Sequence, residues 1–295
     1  MISKCGYIAL VGRPNVGKST LLNKILKQKL SITSRKPQTT RHAIRGVYTK
    51  DEYQMIFVDT PGVHQTGGKE MHKLMNQAAL TALYDVDVIV FLVDPFKFNE
   101  EDERVLANIK KHDKPCILAV NKIDKLADKD ALLPTLEALH AKHDFTALIP
   151  LSAKTGKQVE TLLEALKPYM PEGPHLFDED DITDRSARFL CAELLREKIF
   201  RLCGQELPYA TTVEIESFAK KGKAFHIQAL IMVDKENHKR MIIGERGQKL
   251  KAIASQARLD MERLIEEPVF LKCFCKVKSG WSDDMRTLRQ LGYDD

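Results

Sequence analysis

Residues 12–19 of the chain are Gly-Arg-Pro-Asn-Val-Gly-Lys-Ser, which fits the pattern Gly-x-x-x-x-Gly-Lys-Ser/Thr. The stretch lies between an apolar run at residues 7–11 and a helical pattern at residues 18–27. A strand, a glycine-rich turn and a helix in this order predict a loop whose backbone N–H groups hold phosphate. Lys18 would add positive charge at the β- and γ-phosphates, and Ser19 would offer its hydroxyl to Mg²⁺.

The first half of the chain continues this alternation of strand and helix. Apolar, strand-like runs occupy residues 43–48, 53–59, 86–93, 115–120 and 146–150, and helical patterns occupy residues 71–84, 101–111, 130–142 and 158–166. Almost wholly apolar strands that alternate with helices predict an α/β fold, with a mostly parallel sheet covered on both faces. The short connection between the runs at 43–48 and 53–59 predicts a hairpin.

A second pattern, Asp59-Thr-Pro-Gly62, ends the third strand. A carboxylate at the carboxyl end of a strand can hold Mg²⁺ through water, and the N–H of Gly62 can sense a γ-phosphate. An ordinary turn can have the same residues, so this pattern alone leaves both interpretations open.

Two more patterns follow later strands, Asn121-Lys-Ile-Asp124 and Ser152-Ala-Lys154. The carboxylate of Asp124 can accept two hydrogen bonds from N1 and the exocyclic amine of guanine, a donor pair that adenine lacks. A backbone N–H in the second pattern can reach O6 of the same base. Ligands bind at the carboxyl ends of the strands in such sheets, so the patterns together predict a guanine-nucleotide site.

The alternation stops at residues 167–174, which contain three prolines and a glycine. Residues 172–184 then contain six acidic residues and no lysine or arginine. We therefore expect a nucleotide-binding domain at residues 1–170, an acidic, proline-rich linker at 171–185 and a second domain with the C-terminal tail at 186–295. The second domain has the predicted order α-β-β-α-α-β, which is typical of a small α+β fold.

Within the second domain, Gly244-Glu-Arg-Gly247 joins two predicted helices. A Gly-x-x-Gly turn allows a nucleic-acid backbone to approach closely, and residues 220–278 carry 14 basic against 7 acidic side chains. A plain helix–helix turn is the alternative. The candidate RNA-binding residues are Ile243, Gly244, Glu245, Arg246, Gly247, Lys249 and Lys251.

Composition excludes several classes of protein. The chain has 295 residues and a formal net charge of +5, with 43% hydrophobic and 29% charged residues, as ordinary globular proteins have. It contains no apolar run near the ~20 residues of a membrane helix. Without a signal-peptide core at the N-terminus, we expect the six cysteines to be reduced thiols of a cytoplasmic protein.

The patterns of residues 5–168 are similar to the five-motif signature of the translation-factor-class GTPases, and the second domain resembles a type II KH domain. Together with the stretch Thr-Ser-Arg-Lys-Pro-Gln-Thr-Thr-Arg-His at residues 33–42, they resemble the Era family of bacterial GTPases. The resemblance spans almost the whole chain. It implies GTP hydrolysis, with GTP or GDP and Mg²⁺ as bound groups.

The resemblance also implies which residues serve the nucleotide. Ser19, Asp59 and a switch threonine would bind Mg²⁺; Thr40 is favoured for the last role, and Thr39 stays open. Lys18, Asn15, Thr40 and Gly62 would act in catalysis, with Asn15 helping to hold a K⁺ ion. The residues implied to contact GTP are Gly12, Arg13, Pro14, Asn15, Val16, Gly17, Lys18, Ser19, Thr20, Asp59, Thr60, Pro61, Gly62, Val63, Asn121, Lys122, Ile123, Asp124, Ser152, Ala153 and Lys154.

One position departs from the Ras-like pattern. Val63 stands where those GTPases have a glutamine that orients the attacking water. Valine cannot orient water, so we expect slow intrinsic hydrolysis that needs a partner or a cation.

The resemblance implies binding of the 3′ region of 16S ribosomal RNA and a role in maturing the small ribosomal subunit. It further implies peripheral association with the inner face of the cell membrane. Short loops and the absence of heptads favour a monomer. Three other functions stay open: a constitutive RNA-binding protein with a structural nucleotide, an ATP-driven RNA enzyme, and a membrane-surface GTPase.

Overall fold

A computed structural model of the chain describes residues 2–34, 39–62, 69–126, 132–204 and 207–293. The chain forms two compact units. Unit 1 comprises Met1–Ser31, Thr40–Gln65 and Met75–Asp184, and unit 2 comprises Ile32–Thr39, Thr66–Leu74 and Arg185–Asp295.

Unit 1 is built on a six-stranded sheet in the order β2-β3-β1-β4-β5-β6. The strands are β1 (Lys4–Val11), β2 (Ile44–Lys50), β3 (Tyr53–Asp59), β4 (Val88–Val93), β5 (Cys116–Val120) and β6 (Ala147–Pro150). Among the described strands, β2 and β3 pair antiparallel and the other neighbouring strands run parallel. The mostly parallel sheet and the hairpin that the sequence predicts are therefore confirmed.

Helices follow the strands as the periodicity predicts. In the first 166 residues they are α1 (Lys18–Ile25), α2 (Glu70–Thr81), α3 (Glu100–Ile109), α4 (Leu132–His140) and α5 (Val159–Leu166). Central strand residues such as Ala9, Phe91 and Leu118 are at most 1% exposed, because helices cover the sheet. The parallel register brings the carboxyl ends of β1, β3, β4, β5 and β6 to one edge of the sheet.

Strand β1 starts three residues before the predicted apolar run. Lys4, Cys5 and Gly6 extend it because their backbones pair with β3 from Tyr53 onward. Backbone pairing does not require apolar side chains, so hydropathy alone missed this extension.

Residues 171–184, which we call the strap, are hydrogen-bonded along unit 1. The N–H of Cys5 donates to the carbonyl of Pro171 at 3.0 Å, and the N–H of Val47 on β2 donates to Ile182 at 2.9 Å. The fully buried Gln54 accepts from the N–H groups of Leu176 and Phe177 at 2.7 and 3.0 Å. Its own amide donates to the carbonyl of Phe177 at 2.9 Å.

Unit 2 has the order α-β-β-α-α-β, as predicted, followed by a short terminal helix. Its elements are α6 (Ala187–Leu202), β7 (Thr211–Lys221), β8 (Ala224–Val233), α7 (Glu236–Ile243), α8 (Gln248–Ile265), β9 (Val269–Val277) and α9 (Met285–Gln290). Strands β7 and β8 are antiparallel, whereas β8 and β9 are parallel. Residues of α6 and α8 form one buried cluster with alternate residues of the sheet.

Helix α6 buries charged side chains that its sequence periodicity did not mark. Arg196 donates to both carboxylate oxygens of Glu193, at 2.7 and 2.5 Å, and to the carbonyl of Thr39 at 2.6 Å. Lys198 pairs with Asp260 of α8. Burying an unpaired charge is costly, and these contacts give the buried charges of α6 partners.

Candidate nucleotide site and RNA interface

The phosphate loop connects β1 to α1 and requires glycine at both ends. A Cβ at Gly12 would lie 2.5 Å from the carbonyl oxygen of Leu92, and one at Gly17 would lie 2.2 Å from Nδ2 of Asn121. Both glycines have positive φ, +152° and +112°, and Asn15 between them has φ of 63°. The loop can therefore turn tightly between strand and helix only with small residues at its ends.

Lys18 begins α1 and is buried beneath the loop. Its Nζ donates to the carbonyls of Gly12 and Arg13 at 2.7 and 3.1 Å. Burial lowers the pKa of Lys18 to about 8, although the negative charges of Asp59 and Asp102 oppose the shift. Bound phosphates would favour the charged form of this amine.

The structure brings together the three side chains expected to hold Mg²⁺. Ser19 Oγ donates to Asp59 Oδ2 at 2.7 Å and lies 3.0 Å from Thr40 Oγ1. The two expected threonine alternatives thus differ: the Thr40 hydroxyl adjoins Ser19, whereas the Thr39 carbonyl accepts from Arg196.

The chemistry of these three side chains fits Mg²⁺. Hydroxyl and carboxylate oxygens are the ligands that this ion takes in proteins. Within the described ranges, the buried Oδ1 of Asp59 accepts no hydrogen bond of ordinary geometry. Burial raises the pKa of Asp59, opposed by the charge of Lys18 and the hydroxyl of Ser19. A cation at these oxygens would therefore satisfy a buried acceptor and favour its ionised form.

The expected base-reading residues are held at the ends of β5 and β6. Asp124 accepts from Ser152 Oγ at 2.6 Å through one carboxylate oxygen, Oδ1. Asn121 connects three segments: its Nδ2 donates to Val16 at 2.7 Å, and its Oδ1 accepts from the N–H groups of Lys122 and Ala153 at 2.8 and 2.9 Å. Asn121 thus fixes the phosphate loop relative to the expected guanine pocket.

Arg13 and Lys122 have partners that fix the loop from outside. Arg13 Nε donates to the buried carboxylate of Asp102 at 2.9 Å. Lys122 Nζ donates to the carbonyl of Asn15 and to Asp94, both at 2.8 Å. The sequence did not predict that Asp94 and Asp102 support the phosphate loop. The capping box of Asn99 and Asp102 is nevertheless visible in the sequence from the spacing of the two residues.

The turn after β3 packs against the phosphate loop. A Cβ at Gly62 would lie 2.9 Å from Cγ of Pro14, and the Thr60 hydroxyl donates to the carbonyl of Leu10 at 3.1 Å. Thr20 is the third residue of α1. Asn15 and Lys154 are exposed, and Pro61 and Ile123 lie within the patterns Asp59–Gly62 and Asn121–Asp124. Val63 lies outside the described residues.

The predicted Gly-x-x-Gly turn connects α7 to α8 with a left-handed backbone. Gly244, Arg246 and Gly247 have φ of 69°, 48° and 76°. A Cβ at Gly244 would lie 2.6 Å from Cβ of Lys249, whereas no atom lies within 4 Å of one at Gly247. Glu245 and Arg246 are exposed at the turn.

The start of α8 adds charge beside this turn. Lys249 and Lys251 follow Gly247 in its first turn, with Lys251 exposed, and Ile243 ends α7. The arrangement offers a close backbone approach flanked by cations, as single-stranded RNA requires. No helix in the described part of the chain combines the length and apolar composition that crossing a bilayer requires.

Comparisons with known proteins agree with this geometry. The family model described as "50S ribosome-binding GTPase" matches residues 7–122, and the KH domain model matches residues 206–282. GTPase Era of Pseudomonas savastanoi pv. phaseolicola is 52% identical over 293 residues, covering 99% of this chain and 98% of that protein.

Two solved structures are similar over nearly the full chain. One is a variant of Era from Aquifex aeolicus bound to GDP.AlF4⁻, with a TM-score of 0.95 and 39% identity, covering 98% of this chain and 99% of its own. The other is Era in complex with MgGDPNP and nucleotides 1506–1542 of 16S ribosomal RNA, also with a TM-score of 0.95 and 39% identity. It covers 99% of each chain.

Proposed function

Because this chain belongs to the Era family of GTPases, we propose that it is a GTP-controlled switch that binds the 3′ region of 16S rRNA during assembly and rRNA processing of the small ribosomal subunit. Members of this family hydrolyse GTP to GDP and phosphate. The proposal rests on the hydrogen bonds of Asn121, which join the phosphate loop to the segments expected to bind the guanine base. The KH domain with its glycine turn supports the RNA half.

In the nucleotide site, Asp124 accepts hydrogen bonds from guanine, and a backbone N–H of residues 152–154 donates to O6. Lys18 leaves its two carbonyl acceptors to donate to phosphate oxygens. Ser19, Thr40 and Asp59 would hold Mg²⁺, which would supply positive charge that stabilises the phosphates. The Gly62 N–H responds to the γ-phosphate.

The rate of hydrolysis depends on a group that replaces the missing glutamine. Asn15 is exposed at the top of the phosphate loop, and its side chain would help to hold a K⁺ ion, which would offset developing phosphate charge. Comparing hydrolysis in potassium and sodium salts, for the protein and for Asn15→Ala, tests this role. Equal rates in both salts would assign the activation to a partner.

Guanine specificity is tested by Asp124→Asn. The variant exchanges one acceptor oxygen for a donor, so it should lose GTP binding by on the order of 10⁴-fold and bind xanthosine triphosphate instead. An ATP-driven enzyme would show no such exchange. Asp144→Asn, the same change at an exposed aspartate of unit 1 outside these motifs, is the control.

Switching is tested by equilibrium binding of the 16S 3′-region RNA with GTP analogue, with GDP and without nucleotide. Gly244→Asp, which places a charged side chain at a glycine with φ of 69°, should abolish tight binding. Affinity that is the same in all three states would leave a constitutive RNA-binding protein. Absence of RNA binding would remove the RNA half of the proposal.

The remaining assignments concern domains and location. We place the nucleotide domain at residues 1–170, the connecting segment at 171–185, most of which lies along that domain as the strap, and the KH domain with its tail at 186–295, and we expect a monomer in the cytoplasm. Peripheral association with the membrane's inner face is tested by co-sedimentation with phosphatidylglycerol vesicles. Membrane association would be withdrawn if the protein stayed in the supernatant.

A further inference from the structure

The three-stranded sheet of unit 2 has two different faces. Ile227, Ala229 and Ile231 of β8 point into the core cluster shared with α6 and α8. The opposite face exposes large apolar side chains: Phe270 and Phe274 of β9 are 55% and 46% exposed. Two phenylalanines exposed on a strand of this length need a reason beyond packing.

The exposed positions of β9 alternate between aromatic and basic residues. Successive side chains of a strand point to opposite faces, so the residues at every second position share one face. Those residues are Phe270, Lys272, Phe274 and Lys276. The register places His226 beside Phe270, where the two ring centroids are 5.2 Å apart, and Gln228 beside Lys272.

The charge of this face suits a polyanion. Neither Lys272 nor Lys276 forms an ion pair with another residue in the described ranges, whereas Lys220 pairs with Glu267 at 2.7 Å. The positions of β8 and β9 on this face contain no carboxylate; on β7, Glu214 lies on it opposite Leu230, and the exposed Glu216 lies at the bulge before Ser217. The two lysines therefore keep their charges available to a ligand.

We propose that this face of β8 and β9 is a second surface for single-stranded RNA, separate from the glycine turn between α7 and α8. The inference rests on the proposed RNA-binding function and extends it. Phe270 and Phe274, four residues apart, are separated by ~13 Å along the strand, enough for each ring to stack on a different base. Lys272 and Lys276 contact the phosphates between and beyond those bases.

The alternation favours RNA over a lipid surface. A membrane-binding element separates its cations from its apolar side chains, so that one face enters the acyl region and the other stays with the headgroups. On β9 the rings and the ammonium groups share one row. A row of this kind matches the alternating bases and phosphates of a nucleic-acid strand.

The test uses the full chain with GTP analogue and an RNA of 16S nucleotides 1506–1542. Phe270→Ala/Phe274→Ala should weaken binding by about 5- to 150-fold for each stack lost. Lys272→Gln/Lys276→Gln should lower the magnitude of the slope of log affinity against log salt by about 1.4. Because all four side chains lie on the exposed face, the variants should unfold at the temperature of the parent protein.

Two control variants carry matched changes elsewhere. Leu259→Ala removes an apolar side chain that is 46% exposed on α8, and Lys110→Gln/Lys111→Gln removes two exposed cations from unit 1. Neither should change RNA affinity by more than about twofold. Ultraviolet cross-linking of the complex should also attach RNA to a peptide that contains Phe270 or Phe274.

The outcomes separate this inference from the proposed function. RNA binding that needs Gly244 but is unchanged by the phenylalanine and lysine variants would overturn the second surface alone. Absence of RNA binding by the parent protein would overturn both. Variants that keep RNA affinity but lose binding to phosphatidylglycerol vesicles would assign the face to a membrane, and variants that only convert a dimer to a monomer would assign it to a second copy of the chain.

Discussion

Lys18 is charged at a cost, because it is buried and its hydrogen-bond partners in the free protein are neutral carbonyls. A pKa of about 8 means that roughly half of the free molecules carry a neutral amine at pH 8. Anionic phosphates restore the charged form. Nucleotide binding is thus coupled to proton uptake by this single side chain.

We therefore expect GDP binding without Mg²⁺ to take up as much as about half a proton at pH 8. Affinity for GDP should fall as the pH rises above 8, since the bound state then requires a proton that the free state has lost. Calorimetry in buffers of different ionisation enthalpy measures the uptake. Heats that do not depend on the buffer at pH 8 would show that Lys18 is already charged.

At the residue scale, the sequence predicted the chemical roles of single side chains better than the contacts between distant residues. The motif spacing indicated a base-reading role for Asp124 and a phosphate role for Lys18. It did not reveal that Asn121 hydrogen-bonds to Val16, 105 positions earlier in the chain. Such contacts depend on which loops the sheet order brings together, and local sequence patterns do not indicate that order.

The turn between α7 and α8 contains two glycines that differ in their surroundings although both have positive φ. Beside Gly244 the Cβ of Lys249 leaves no room for a side chain, whereas the space beside Gly247 is open. Backbone strain is common to both positions. Steric exclusion applies only to the first, so substitutions at the two positions separate the two effects.

Gly247→Ala should cost about 1 kcal/mol of unfolding free energy, mainly from the left-handed backbone. Gly244→Ala should cost more and should also weaken RNA binding, because relieving the clash moves the start of α8. Chemical denaturation and RNA titration of both variants check this ordering. Equal losses would mean that the turn yields without displacing the helix.

The ion pair inside α6 is a second feature at this scale. Arg196→Met removes the guanidinium with which the buried carboxylate of Glu193 is paired and should lower the unfolding free energy by about 3–5 kcal/mol. Replacing both residues by apolar ones, Glu193→Leu with Arg196→Met, should recover much of that loss. Thermal denaturation of the single and double variants decides; a double variant as unstable as the single one contradicts this account.

The bounds of helices and strands could be predicted from the sequence where a pattern of apolar residues defines them. Both ends of β3 match the predicted residues 53–59, because an apolar run defines them. The periodicity did not indicate α9, which has only six residues and is anchored by its neighbours: the buried Trp281 donates through its indole N–H to Ala210. The burial of charged residues inside α6 was not predicted either, because two of the contacts involved are distant in sequence: Arg196 donates to the carbonyl of Thr39, and Lys198 pairs with Asp260 of α8.

At the scale of the whole molecule, the strap decides where unit 1 ends. Composition predicted an acidic linker there, but the buried Gln54 holds its backbone through three hydrogen bonds. Nothing in the local sequence around Leu176 indicates this partner, which lies 122 positions earlier. The acidic residues are exposed on a segment that is itself anchored.

Gln54→Ala should release the strap, because the N–H groups of Leu176 and Phe177 lose their acceptor. We expect a glutamyl endopeptidase to cut the acidic run at residues 178–181 several times faster in the variant, with a loss of about 1–3 kcal/mol in unfolding free energy. Glu160→Gln, which removes only an exposed ion pair with Lys50, should leave both unchanged. Equal cleavage rates would indicate that other contacts suffice.

The strap also covers an edge of the sheet in unit 1 that could otherwise pair with strands of other chains. Strand β2 is the last strand on its side of the sheet, and the strap bridges to it at Gly46 and Val47. A fragment truncated at residue 170 would present unpaired backbone groups there, a template for aggregation. A fragment that continues to residue 184 retains its own cap, and is the form of this GTPase unit that should remain monodisperse.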